Sequence, residues 1–274
     1  MPANAPTVVF VGGGPRTAGI LERLAANRPE LLNAPFNIHV IEPHTAGSGR
    51  IWRYEQHPGL MLNSAAADVT MFTDGSVSCE GPGADGPALV DWAAGVLDGS
   101  IADVRELRHQ LEELSGTTFP TRQLQSAYLE WFFRRAVAQL APDATVTVHK
   151  DIAVGIEPAP ATPRQHDGGG YLVRLAGGAA LRADVVVSAV GHTDSLPDAA
   201  SAAWAGFAAR HGGFHAAPSY TTDVDYSAIV PGQDVIVSGM GLAFVDLLVL
   251  LMEGRGGRLF EAARNRSRHV GASR

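Results

Sequence analysis

A chain of 274 residues is long enough to bury a sizeable core and to fill one large domain, or one and a half. With 46% apolar and 18% charged residues it reads as a soluble globular protein and not as a disordered one. A formal charge of −7 excludes a global positive field that would gather nucleic acid, and the basic side chains between residues 255 and 274 read as a solvated tail.

Taken in order, residues 7–11 form a short β-branched run that stops at Gly12, Gly13, Gly14 and Pro15. Ile20, Leu21, Leu24, Leu31 and Leu32 then recur at helical spacing, and residues 37–41 read as a second strand ending at Glu42. Residues 43–80 are rich in Gly, Ser, Ala and aromatics and read as long functional loops with a short helix. Segments 89–97 and 103–114 look helical. Segment 121–140 reads as an amphipathic helix with Leu124, Tyr128, Trp131, Phe132 and Val137 near one face, stopped by Pro142. Residues 145–149, 152–156 and 171–175 look like strands, with a Pro- and Gly-bearing loop over 158–170. Residues 183–190 read as a further buried strand closed by Gly191, and 196–231 as irregular chain. Residues 234–237 open a second strand-glycine-helix pattern.

The single cysteine, Cys79, cannot form an intrachain disulfide, and no signal-like segment opens the chain. A reduced, cytoplasmic compartment is expected. The one membrane-like stretch, 235–252, contains Gly239, Gly241 and Asp246, and suits strand, turn and helix better than a span. No Ser-His-Asp spacing, CxxC pair, HExxH or P-loop lysine occurs, which removes hydrolase, metal and kinase readings.

The strand-turn-helix at the start has a chemical use. A helix N-terminus offers unpaired N–H groups and partial positive charge, and glycine lets a pyrophosphate approach the backbone. Gly12 and Gly14 fill the first two positions of a dinucleotide-binding turn; Thr17 stands where Gly or Ala is usual, at the site that governs helix-strand contact. Its bulk threatens to plug the turn, with Ala18 and Gly19 nearby to absorb a small shift. Glu42, at the end of the second strand, can accept hydrogen bonds from a ribose hydroxyl. A glycine-rich turn with no ligand is the alternative.

The runs GPRTAGILERL, IEPHTAGSGRIWR and LMLN, then FPTRQLQSAYLEW, DVVVSAVGHTDSLP and GMGLAFVDLLVLLMEGRGGRLFE, resemble the bacterial FAD/NAD(P)-binding proteins distantly related to flavin-containing monooxygenases and amine N-hydroxylases. The similarity covers most of residues 7–261. It implies an α/β, Rossmann-like FAD-binding fold with a parallel central sheet, an inserted helical and loop segment at about 64–140, and an incomplete second dinucleotide-binding unit. Residues 1–231 would be the FAD-binding domain and 232–274 a partial second unit with a basic tail. By the resemblance, Gly12, Gly13, Gly14, Pro15, Arg16 and Thr17 would surround the pyrophosphate, Glu42 and Pro43 the adenosine end, and Arg50, Trp52 and Asn63 the riboflavin half. Ala153 and Gly191 join this set, Gly191 through close backbone approach to the flavin. Core packing for Trp52, a surface ion pair for Arg50, a turn for Asn63 and a plain strand end for Gly191 are the competing readings, and His192 reads as structural.

Gly239 and Gly241 would receive NADH or NADPH if the second turn is functional; Phe244 at its third position fits poorly, and scaffold packing is the other reading. Family members usually continue well beyond this unit, so the chain reads as shortened. An exposed apolar helix over 244–252 would favour a homo-oligomer or a covering partner. The expected function is FAD-dependent, NAD(P)H-linked redox chemistry on a small substrate, monooxygenase-like, with the cofactor carrying the reaction and no acid or base residue demanded. The rivals are a simple NAD-dependent dehydrogenase and a cofactor-binding scaffold without catalysis.

Overall fold

The computed structural model describes residues 5–28, 34–102, 107–159 and 169–257. The chain divides into two compact units, Met1–Ser195 and Leu196–Arg274. Leu31 and Leu32, residues 103–106 of the expected second helix, most of the 158–170 loop and the basic tail beyond residue 257 lie outside the described residues.

The first unit begins with strand β1 (Thr7–Val11), helix α1 (Pro15–Ala26) and strand β2 (Phe36–Ile41). Its β-branched residues suit a strand covered on both sides. Later come β3 (Ala144–His149), β4 (Ala153–Pro158), β5 (Tyr171–Leu175), β6 (Ala180–Ala183) and β7 (Val185–Ser188). Four strands form a parallel sheet in the order β3-β2-β1-β7, and β4-β5-β6 form a separate antiparallel sheet. The parallel order is that of a Rossmann-like α/β fold, as expected.

The two faces of the parallel sheet follow the strand period of two. Phe10, Ile38 and Val40 point to one face and pack with Leu21 of α1 and with Phe132, Phe133, Ala136 and Leu140 of a long helix, α4 (Arg122–Leu140). Val9 and Ile41 point to the other and meet Val173, Leu175 and Ala183 from the antiparallel sheet. Between β2 and α4 the chain forms α2 (Leu89–Asp98) and α3 (Arg108–Glu112), which build their own core around Trp92, Leu111, Leu124 and Tyr128.

Helix α4 differs from a simple amphipathic rod. Gln125, Ser126, Ala127 and Leu129 are buried as well as Leu124, Tyr128 and Phe132, whereas Trp131 and Val137 are only half-buried. The helix serves two cores at once, so a single apolar stripe is not enough. Thr121 caps it, its hydroxyl accepting the Leu124 N–H at 3.1 Å.

Three expectations are corrected. The segment 183–190 is not one buried strand. It breaks at Asp184, β6 pairing with β5 and β7 pairing with β1 at the sheet margin, where Val185 is half exposed. Residues 196–231 are not irregular throughout, because Ala199–His211 form helix α5, capped by Asp198, whose carboxylate accepts the Ser201 N–H at 2.7 Å, and ended by Gly212 in the left-handed region. Residues 234–237 form no strand; Val235, Ile236 and Val237 are exposed, and a strand needs a paired neighbour to exist. Helix α6 (Leu242–Leu251) follows, without a buried residue. No helix among the described residues is long and apolar enough to cross a membrane.

Candidate functional site

The turn between β1 and α1 is set by close main-chain approach. Gly12 has φ +100°, a region open to glycine, and a Cβ there would strike the Ala189 carbonyl just past β7. A Cβ on Gly13 would lie 2.7 Å from the Cβ of Glu42 and 2.9 Å from a Val40 methyl. Gly14 is different. It is the N-cap of α1 in extended conformation, no side chain caps the helix, and its Cβ direction is open apart from Gly49 Cα at 3.9 Å. Pro15 occupies the first helical turn, where its missing N–H costs nothing, and Arg16 is exposed beside it.

Thr17 does not plug this hollow. It is fully buried, and its hydroxyl donates to the Gly12 carbonyl at 2.6 Å, turning under the loop. The residue that breaks the usual glycine pattern thus braces the turn from beneath.

Glu42 is buried, and both of its oxygens are engaged. Oε2 accepts the Gly13 N–H at 2.9 Å and Oε1 accepts the His44 N–H at 2.9 Å. A carboxylate has about four acceptor positions, so two remain for further donors. Its own N–H donates to the His149 carbonyl at 2.9 Å, which fixes it to β3.

The loop after Glu42 docks on the turn. Gly47 N–H donates to the Gly13 carbonyl at 2.7 Å, and Gly49 N–H to the Thr45 carbonyl at 2.9 Å. Gly47 and Gly49 both have positive φ, and a Cβ on Gly49 would sit 3.0 Å from Gly14 Cα. Neither glycine stood out singly in the sequence; their signal is the pair in TAGSGR. Arg50 then forms a bidentate contact with Asp194, Nη2 to Oδ1 at 3.2 Å and Nη1 to Oδ2 at 3.3 Å. Asp194 had no assigned place in the sequence reading. Trp52 is half-buried with the Arg122 guanidinium 5.9 Å above its ring, and Asn63 is exposed beyond it.

A surface depression of about 460 Å³ opens where β2 and β3 end, lined by Pro43, His44, Thr45, Glu55, Val148 and Lys150. Ala153 is half-buried at the start of β4, against the core that includes Val9 and Ile41. Gly191 is exposed with φ +70°, and a Cβ there would meet nothing. The structure therefore gathers Gly12 to Thr17, Glu42 and the Gly49-Arg50 segment about one corner. Gly239, with φ +109°, and Gly241, the N-cap of α6, lie in the second unit and are exposed.

Among known proteins, residues 9–193 match the family described as FAD-NAD(P)-binding. The chain belongs to this FAD-NAD(P)-binding family. An L-aspartate N-monooxygenase (nitrosuccinate-forming) of Streptomyces davaonensis is 37% identical over 94% of this chain and 40% of its own length. A nitrosuccinic acid synthase of Aspergillus oryzae is 36% identical over 92% of this chain and 36% of its own length. The chain thus spans about two fifths of these curated relatives. An open crystal structure of cyclohexanone monooxygenase matches 71% of this chain and 29% of its own, at 16% identity and a TM-score of 0.35.

The corner suits the cofactor half that the family name implies. A diphosphate needs bare backbone at a helix N-terminus, and Gly14 with α1 provides it, its Cβ direction meeting only Gly49 Cα at 3.9 Å. Family membership and this local geometry agree on FAD as the cofactor, with NAD(P)H as the second nucleotide of the family.

Proposed function

We propose that this chain is the FAD-holding part of an NAD(P)H-linked N-monooxygenase that acts on L-aspartate. The observation that carries the reading is the open Cβ direction of Gly14 at the start of α1, above a carboxylate already fixed in place by Gly13. The substrate is proposed from the two relatives, which align along nearly the whole chain and whose names give L-aspartate and nitrosuccinate.

In this reading Gly12, Gly13, Gly14, Pro15 and Arg16 surround the pyrophosphate, with Thr17 bracing them. Glu42 offers its remaining acceptor positions to the ribose, and the depression beside Pro43 takes the adenosine end. Arg50, Trp52, Asn63, Ala153 and Gly191 lie toward the riboflavin half, and Gly239 and Gly241 receive NADH or NADPH. Bound FAD supplies the two-electron redox chemistry; the chain binds it, orients it and limits water. Helix α6, with Leu242 and Val245 exposed, is proposed to associate with another copy or a covering partner.

The test is direct. The purified chain should be yellow, release FAD on denaturation and lose flavin absorbance on adding NADPH. Joined to the remainder of such an enzyme and incubated with L-aspartate, NADPH and air, it should yield nitrosuccinate by mass analysis. A colourless chain that takes up no added FAD would sink the reading. A second reading, a cofactor-holding scaffold without turnover, is favoured by one observation: the segment ahead of Gly239 forms no strand. Flavin retained without bleaching by either nicotinamide cofactor would select it.

A further inference from the structure

The geometry points to Asp194 as the residue that sets how tightly the cofactor is held, by occupying the Arg50 fork that the phosphate on the riboflavin side of FAD takes over on binding. This rests on the cofactor reading above, and it assigns a role to a residue outside the glycine turn and apart from Glu42 in sequence.

Three relations lead to it. Arg50 directly follows Gly49, whose backbone lies against Gly14 at the mouth of the turn. Asp194 lies five residues beyond Ala189, whose carbonyl abuts Gly12. Their bidentate contact therefore joins the loop that follows Gly49 to the chain that follows β7, Nη2 to Oδ1 at 3.2 Å and Nη1 to Oδ2 at 3.3 Å. A guanidinium presents the same pair of parallel donors to a carboxylate and to a phosphate, so the two anions compete for one fork.

The energetics favour exchange over permanent closure. The Asp194 side chain is 73% exposed and that of Arg50 37%. An exposed pair of this kind is worth about 0–1 kcal/mol, because water screens it and two side chains must be held still. The diphosphate of FAD carries one charge on each phosphate, equal to that of the carboxylate, and beside the N-terminus of α1 it gains from the helix dipole as well. The Asp194 carboxylate keeps Arg50 extended across the corner before binding and yields it afterwards. Removing that carboxylate has the sign opposite to ordinary damage at a site: affinity rises.

FAD binding to the flavin-free chain, followed by quenching of flavin fluorescence, decides the matter for the wild type, Asp194→Asn, Arg50→Ala and the double variant. Asp194→Asn should tighten FAD binding about two- to five-fold, the upper part of the range open to such a surface pair. Arg50→Ala should weaken it, and adding Asp194→Asn to Arg50→Ala should change nothing further. Asp194→Glu, which keeps the charge, should bind FAD less tightly than Asp194→Asn, and Asp194→Ala repeats the test should the asparagine variant fold poorly. Equal or weaker binding by both neutral variants overturns the exchange, as does an equal gain in the Arg50→Ala background, which would mean bulk charge alone. The cofactor reading fails separately, if wild type and Gly14→Val alike bind no FAD, and the exchange falls with it.

Discussion

His39 on β2 and His149 on β3 meet side by side, Nδ1 to Nε2 at 2.8 Å. One ring must donate and the other accept, so the pair holds together only while at least one ring is neutral. Burial, and then the neighbouring His149, lower the affinity of His39 for a proton below its ordinary value of 6.5. In the window between that lowered value and 6.5 the unfolded chain binds more protons than the folded one. The contribution is therefore fully present above 6.5 and is lost as pH falls through the window. Urea unfolding at about pH 7.5 and about pH 5.5 should show the loss, and His39→Asn should flatten it. An unchanged pH slope in that variant would remove the pair as its source.

Two neighbouring glycines should respond in opposite ways. Gly14→Val meets no close contact at its Cβ and should leave the unfolding midpoint near that of the wild type while abolishing flavin retention, because the new side chain stands in the phosphate path. Gly12→Ala requires both a positive φ and space taken by the Ala189 carbonyl, so it should lower stability outright, by about 1–3 kcal/mol. Thermal unfolding and bound-flavin content, measured on both, separate binding from folding.

Glu42→Ala should do both kinds of harm. It removes the acceptor for the Gly13 N–H in a buried place, at a cost of about 1–3 kcal/mol. It also frees the turn from β2, so FAD affinity should fall together with stability. A variant that loses affinity alone would mean that the carboxylate acts only on ligand.

Tyr128→Phe tests the helical segment away from the cofactor corner. The Tyr128 hydroxyl donates to the Pro87 carbonyl at 2.8 Å and accepts the Met71 N–H at 3.1 Å, while the ring is fully buried. Its removal strands a donor and an acceptor and should cost about 1–3 kcal/mol in urea unfolding, with flavin content unchanged.

What could be read from the sequence was local. The β1-turn-α1-β2 order shows in the TVVFV run, the three glycines and Pro15, because those residues fix backbone geometry within a few positions. Helix α5 escaped because its many alanines give no apolar stripe, although Asp198 and Gly212 mark both ends. The break at Asp184 depends on a distant partner: its carboxylate accepts the Thr7 N–H at 2.7 Å, and its own N–H donates to the Thr7 carbonyl at 2.8 Å. The strand expected at 234–237 has a strand's composition and no neighbour. At the corner, residue types named Gly14 and Glu42, but the Arg50-Asp194 contact joins positions 144 residues apart, which no spacing announces.

Thr17 does what a glycine in its place could not. Its hydroxyl is the inner peg on which the Gly12 carbonyl hangs. A glycine here would open an empty space under the loop and leave that carbonyl without the Thr17 hydroxyl as donor, so the residue usual in such turns would be the damaging one. A consensus-guided redesign that corrects this position by frequency alone would loosen the cradle it aims to repair.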